Sequence, residues 1–300
     1  MNFGDKFMKI SVVGAGCDLG VHVYGARYGA KTIIDQINDD NIEKAIIEQD
    51  EKIIKSFDSD DLMKNLKYLN EYNHDLYDVI LKFKNNDKFV ITIGGDHSTA
   101  IPSVLSSCKK YEQIGLLWVD AHPDFNSFDT TITGNLHGLP CAAVANFNCN
   151  KLTEYHDGCF VNPKNIVIIG ARSIDKGEIE NLKKAGVTVI TTADIKKNGV
   201  LNVMKKAFKI ALKNVKYFHV SFDLDVIDPV ECPGVSVPEV CGISKEEAFD
   251  IFNYLLKYTQ KMVSFDIMEF NPVKDIDNKT LDIALYILNA LISELRILDY

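Results

Sequence analysis

Three short runs place metal-type side chains at close, regular spacing. LLWVDAHPDFN, residues 116–126, passes from apolar residues into Asp120, His122 and Asp124 at alternate positions. SFDLDVIDP, 221–229, repeats the device with Asp223 and Asp225, and ITIGGDHS, 91–98, ends a third apolar run in Asp96 and His97. Residues two apart on an extended strand share a face, so Asp120, His122 and Asp124 converge on one point if that strand stays extended. Neither aspartate run contains a lysine or arginine, and buried carboxylates are costly unless they are paired or bind a metal. His97, His122, Asp120, Asp124, Asp223 and Asp225 together supply two imidazoles and four carboxylates. Four negative charges match two divalent cations, and an oxygen-rich set with some imidazole suits manganese better than a sulfur-type zinc site does. The chemistry implied is a binuclear metal centre, which can activate a bridging water as hydroxide at neutral pH.

Any one of these runs alone is weak, because aspartate also caps helices and starts turns. Their joint placement after three apolar runs is what carries the reading. Among the other histidines, His137 follows the long segment after the Asp120 run and is a candidate proton shuttle. His219 lies inside an apolar run and reads as a core histidine; His22, His74 and His156 read as surface or locally hydrogen-bonded. VVGAGCDLG looks like a dinucleotide-binding turn, but Gly14, Gly16 and Gly20 are spaced one residue too long for that fingerprint.

The elements that must position these residues alternate short apolar runs with amphipathic stretches of helical length, the pattern of a largely parallel sheet covered by helices on both faces. Strands are expected from Lys9, Lys88, Ile114, Asn165, Val187, Tyr217 and Met262. Several are apolar at successive positions, as strands buried on both sides should be. A helix is expected over 62–83, where Leu62, Leu66, Leu69, Leu76, Val79, Ile80 and Phe83 recur at spacings of three and four. Ser244 with Glu247 three residues on predicts a capped helix start, and a last helix is expected over about 279–295. Long connections at 123–136 and 226–243 follow two of the metal-type runs, and in open α/β sheets ligands bind outside the carboxyl ends of strands.

The 300 residues show no repeat or Gly/Ser/Pro-rich linker, so one domain, 1–300, is the expectation. A net charge of −9 argues against nucleic-acid or anionic-membrane partners and for a small-molecule substrate. Apolar stretches are too short to cross a bilayer, and MNFGDKFMKISVV lacks a basic start and a cleavage site, so a cytoplasmic enzyme is expected. Seven cysteines, odd in number and without a C-x-x-C pair, read as small buried residues or free thiols.

The runs GGDHS (94–98), DAHPDFN (120–126), SFDLDVIDP (221–229) and DIMEFNP (266–272) resemble the ureohydrolase family, which includes arginases, agmatinases and formimidoylglutamases. The resemblance implies a three-layer α/β/α fold with a central, mostly parallel eight-stranded sheet and two Mn(2+) at its carboxyl edge. It implies that His97, Asp120, Asp124 and Asp223 hold one ion and His122, Asp120, Asp223 and Asp225 the other, with Asp120 and Asp223 bridging. It further implies hydrolysis at a guanidinium carbon, with His137 as proton shuttle, Glu269 pairing with the cationic substrate head, and a homo-oligomer, trimer or hexamer. DFNSFDTTITGNLHGLP looks most like arginase: Asn126, Thr131 and Thr133 fall where arginases bind the α-carboxylate, and Asp175 and Glu178 of GARSIDKGE fall near the α-amino group. Arginine is the leading substrate, with formimidoylglutamate, agmatine or another guanidino compound as alternatives and a non-catalytic metal-binding relative as a further one. Two positions depart from the arginase pattern, Val226 standing for a glycine and Val237 for a threonine.

Overall fold

The structure, a computed structural model, describes residues 9–53, 55, 56, 61 and 63–297. Residues 1–8 of the leader reading and Leu62 of the expected helix lie outside the described residues. Among the described residues eight strands run in chain order: β1 (Lys9–Gly16), β2 (Glu43–Glu48), β3 (Lys88–Ile93), β4 (Ile114–Val119), β5 (Ile166–Ala171), β6 (Thr188–Thr191), β7 (Tyr217–Asp223) and β8 (Met262–Met268). They form one sheet in the order β2-β1-β3-β8-β7-β4-β5-β6, with every neighbouring pair parallel. The helices among the described residues are α1 (Gly29–Ile34), α2 (Leu66–Asn85), α3 (Ala100–Tyr111), α4 (Pro140–Val144), α5 (Lys176–Ala185), α6 (Thr192–Asn198), α7 (Val200–Ala211), α8 (Lys245–Leu256) and α9 (Lys279–Ile297).

The sheet separates two apolar cores. Leu117 and Val119 of β4 face one, with residues of α1, α6, α7, α8 and α9. Leu116 and Trp118 face the other, with residues of α2, α3, α4 and α5. This three-layer α/β/α arrangement explains why the strands read as continuous apolar runs: alternate side chains enter different cores, and both are apolar. Among the described residues no helix is long and apolar enough to cross a membrane.

Seven strands fall where the sequence places them. The eighth, β2, is absent from the pattern because it is an edge strand paired only with β1; EKAIIE is exposed or half-buried along its whole length, so it carries neither an alternating nor a continuous apolar signal. Helix α2 buries Leu69, Leu76, Ile80 and Phe83 as its periodicity predicts, but it begins at Leu66, after a turn at 63–65, and extends to Asn85. Ser244 caps α8, accepting from Glu247 N at 3.2 Å while Glu247 returns a carboxylate to Ser244 N at 2.8 Å. All seven cysteines are free, and five are buried.

Candidate metal centre

The site lies where β3, β4, β7 and β8 end, in the middle of the sheet. After β3 the chain turns through Gly94 and Gly95, pressed so closely on its neighbours that a Cβ on Gly95 would fall 1.8 Å from the Cys17 carbonyl oxygen. Glycine is required there for contact rather than for flexibility. Asp96 then caps the short helical turn His97–Thr99, accepting from Ser98 N at 2.9 Å and from Gly20 N at 2.7 Å. That cap aims His97 inward, where its ring stacks on Trp118 with centroids 4.1 Å apart and its Nε2 lies 2.9 Å from Ser221 Oγ.

The Asp120 run reaches the same point by a different route from the one expected. An extended strand was to present three alternate side chains, but β4 ends at Val119, and Asp124 takes a left-handed φ of 51°. The turn is closed by Asp120, whose carboxylate accepts from His122 N at 2.6 Å and from Trp118 Nε1 at 2.9 Å. Asp223 likewise ends β7 and caps the next turn, accepting from Asp225 N at 2.8 Å. Short polar side chains at strand ends favour such local bonds. Convergence therefore comes from turns capped by the aspartates themselves, not from strand alternation.

The result is two groups that share Asp120: His97, Asp120 and Asp223, and Asp120, His122 and Asp225. His97 Nδ1 lies 2.9 Å from oxygens of Asp120 and Asp223 and 3.2 Å from Asp124, yet it is buried without a hydrogen bond. His122 Nδ1 is 3.0 Å from Asp225 Oδ2 and 3.5 Å from Asp120 Oδ1. An unbonded imidazole nitrogen amid three carboxylate oxygens is a donor set that fits a divalent, oxygen-preferring cation.

Electrostatics agree. Burial, then the charge of Asp120, pushes the Asp124 carboxyl well above the usual carboxylate range; burial, then Asp225 and Asp120, does the same to Asp223. Burial alone would lower His97, but hydrogen bonding and charge from Asp120 push it up to about 9. Asp120 goes the other way, its burial outweighed by hydrogen bonds and charge from His122 and His97. For Asp124 and Asp223 burial and mutual repulsion favour the protonated form, and a divalent ion would neutralise those carboxylates in place of the protons.

A cavity of about 220 Å³ opens above the centre. His122 and Asp124 reach its floor, and Asn126, Thr131, Thr133, His137, Asp175 and Glu178 all line it. Thr131 Oγ1 accepts from Gly134 N at 3.0 Å and Thr133 Oγ1 from Asn135 N at 3.2 Å, leaving both hydroxyl hydrogens available. Asn126 Nδ2 donates to Asp175 Oδ2 at 3.0 Å. Glu178 caps α5 and accepts from Asp175 N and Phe125 N, both at 2.9 Å; burial pushes it up to about 7. Glu269 is buried with a φ of 67°; its Oε1 lies 3.0 Å from His137 Nδ1 and accepts from His97 N at 2.8 Å, while Oε2 is buried without a hydrogen bond.

His219 is a core histidine as expected, buried between Asp266 Oδ2 at 2.7 Å and Ser107 Oγ at 2.9 Å. His22 is at the surface, as one branch of the expectation had it, but its Nδ1 lies 2.9 Å from Asn135 Nδ2, far along the chain, and it lines the cavity with Asn135, Ser173 and Glu239. These four escaped the sequence reading because none lies in a metal-type run. His22 and Ser173 do follow β1 and β5, and their place beyond the carboxyl ends of strands was the available signal.

Fold and site together define an α/β protein of the ureohydrolase type, with metal-type donors at the carboxyl edge of a parallel sheet. The chain belongs to the arginase family, whose sequence profile it matches over residues 8–293. It is 30% identical to an arginase of Bacillus caldovelox over 95% of this chain and 98% of that protein; the solved structure of that arginase superposes with a TM-score of 0.87. An Entamoeba histolytica arginase solved with L-ornithine is 27% identical, with a TM-score of 0.84 over 96% of this chain and 98% of that one. A Bacillus subtilis formimidoylglutamase shares the fold, with a TM-score of 0.79 at 15% identity over 98% of this chain and 89% of that one.

Proposed function

We propose that this protein is a binuclear manganese hydrolase that cleaves the guanidinium group of L-arginine to ornithine and urea. The observation that carries the reading is the pair of His-carboxylate groups sharing Asp120 on the floor of a cavity walled by hydroxyl, amide and carboxylate groups. His97, Asp120, Asp124 and Asp223 would hold one ion and His122, Asp120, Asp223 and Asp225 the other. Bound there, the ions supply a water made nucleophilic at neutral pH.

The chain's own residues do the rest. Thr131, Thr133 and Asn126 offer donors to an α-carboxylate, and Asp175 and Glu178 place negative charge on the same wall for an α-amino group. These contacts hold the guanidinium end over the floor, and the cavity walls limit the water that reaches it. His137 lines the cavity with its Nδ1 fixed against Glu269, so Nε2 can give a proton to the departing amine nitrogen as the carbon–nitrogen bond breaks. Glu269, buried and outside the cavity lining, acts through His137, whose Nδ1 it faces; the family resemblance supports a pairing of its carboxylate with the cationic substrate head.

The reading extends to one domain over 1–300, a cytoplasmic setting and a homo-oligomer, trimer or hexamer. A single sheet in which β1 and β8, from opposite ends of the chain, both flank β3 supports the first; family resemblance supports the others. The test is urea release from a manganese-loaded panel of arginine, agmatine, formimidoylglutamate, guanidinobutyrate and guanidinoacetate, with formamide release also followed for formimidoylglutamate. Arginine is expected to lead; protein that binds manganese and arginine but releases no urea would end the hydrolase reading for that substrate.

A further inference from the structure

The two imidazoles of the centre are held very differently. His97 is enclosed, with its side chain 1% exposed, its ring on Trp118 and its Nε2 against Ser221. His122 is 23% exposed on the cavity floor, with Nδ1 toward Asp225 and its outer nitrogen, Nε2, 3.5 Å from Glu239 Oε1. Glu239 belongs to none of the metal-type runs; it sits in the connection between β7 and α8 and lines the cavity.

Its backbone is nonetheless tied to the centre. Arg172, directly after β5, donates Nη2 to the carbonyl oxygens of Asp225 at 2.7 Å and Glu239 at 2.8 Å. The same guanidinium donates Nη1 to Val226 O at 2.9 Å and Nε to Val240 O at 3.1 Å. One rigid fork thus joins the turn that carries Asp225 to the segment that carries Glu239, and four fixed bonds leave that segment little freedom to drift.

We propose that Glu239 is a positioning residue for the His122 half of the centre: its carboxylate accepts the Nε2–H of His122, which fixes the tautomer with Nδ1 as metal donor and sets the ring's orientation. This rests on the binuclear reading above. A ligating histidine usually donates its second N–H to a carboxylate or carbonyl, which orients the ring and strengthens it as a donor; losing such a partner weakens metal binding by about 10–100-fold. Ser221 lies at that position for His97, and Glu239 is the corresponding group for His122. Arg172 acts one step further out, holding Glu239 at a constant distance from Asp225.

The test is calorimetric manganese titration of metal-free, full-length protein as wild type, Glu239→Gln and Glu239→Leu. Glutamine keeps an acceptor oxygen without the charge; leucine removes the acceptor. Two sites are expected in the wild type. Leucine should weaken one of them about tenfold or more while leaving the other within about twofold, and glutamine should recover part of the loss. Thermal unfolding of the metal-free forms checks that all three fold alike. Unchanged affinities in the leucine variant would make Glu239 a rim carboxylate only and overturn the proposal, as would equal weakening of both sites. A wild type that fails to bind two ions would overturn the binuclear reading itself, and this is seen before any variant is compared.

Discussion

Val226 packs into the space that Gly170 leaves open: a Cβ on Gly170 would lie 2.4 Å from Val226 Cγ2. Val226 is fully buried in the apolar core, so the bulk that departs from the family's glycine is taken up beside β5. Gly170 itself has a φ of 105°, a conformation that side chains rarely adopt.

Gly170→Ala should therefore destabilise the fold by about 3 kcal/mol, from overpacking and backbone strain together. In Val226→Gly the tightest contact disappears, while the backbone strain and a 3.1 Å approach to the Asp120 carbonyl oxygen remain. A denaturant-unfolding cycle over the two single variants and the double variant measures the coupling, expected at about 1 kcal/mol. Strict additivity would show that the two positions do not share this space.

Asp120 is common to both candidate groups, and Asp223 faces His97 directly. Asp120→Ala or Asp223→Ala should abolish binding of at least one metal ion, which elemental analysis of purified protein reads directly. His137→Asn should leave metal content near normal and slow turnover about 10²–10⁴-fold, the usual reach of a positioned acid or base. Full metal occupancy in both aspartate variants would sink the shared assignment.

The metal-type donors were legible because each comes in a short run at the end of an apolar strand, where chemistry and position coincide in sequence. How they converge was not, since Asp124 at φ 51° and Glu269 at φ 67° owe their direction to turns that no periodicity encodes. Glu239, Asn135, Ser173 and His22 reach the cavity from separate connections, and only the folded sheet brings those together. Strand β2 was silent because an edge strand that buries little needs no apolar pattern. Lys84 was equally silent: a lysine next to the apolar stripe of α2 carries no sequence signal of burial, yet it is fully buried, donating to Ser103 O at 3.0 Å and to Ser107 Oγ.

That burial makes Lys84 a pH probe of the core. Burial, partly opposed by the charge of Asp266, lowers its pKa to about 7, whereas an unfolded lysine titrates near 10.4. Between those values the unfolded chain binds a proton that the folded protein does not, so unfolding free energy should rise with pH across this window. The slope can reach about 1.4 kcal/mol per pH unit for one proton. Urea titrations at pH 7, 8 and 9 should show the rise in the wild type and lose its Lys84 component in Lys84→Met. An identical pH dependence in both proteins would mean that Lys84 stays charged in the folded state.

Substrate choice should be readable at Thr131, whose side chain is buried in the cavity wall and whose oxygen already accepts from Gly134 N. If its hydroxyl hydrogen meets an α-carboxylate, Thr131→Val removes one charge-assisted bond, a loss of about 1.5–3 kcal/mol. KM for arginine should then rise at least tenfold, with kcat little changed, because the contact lies away from the reacting carbon. Agmatine, which has no carboxylate, should show no comparable rise. Thr131→Ser keeps both the donor and the acceptor for Gly134 N, so it should retain wild-type KM and separate a lost substrate contact from a disturbed loop. A valine variant that impairs arginine and agmatine equally would place the carboxylate elsewhere in the cavity.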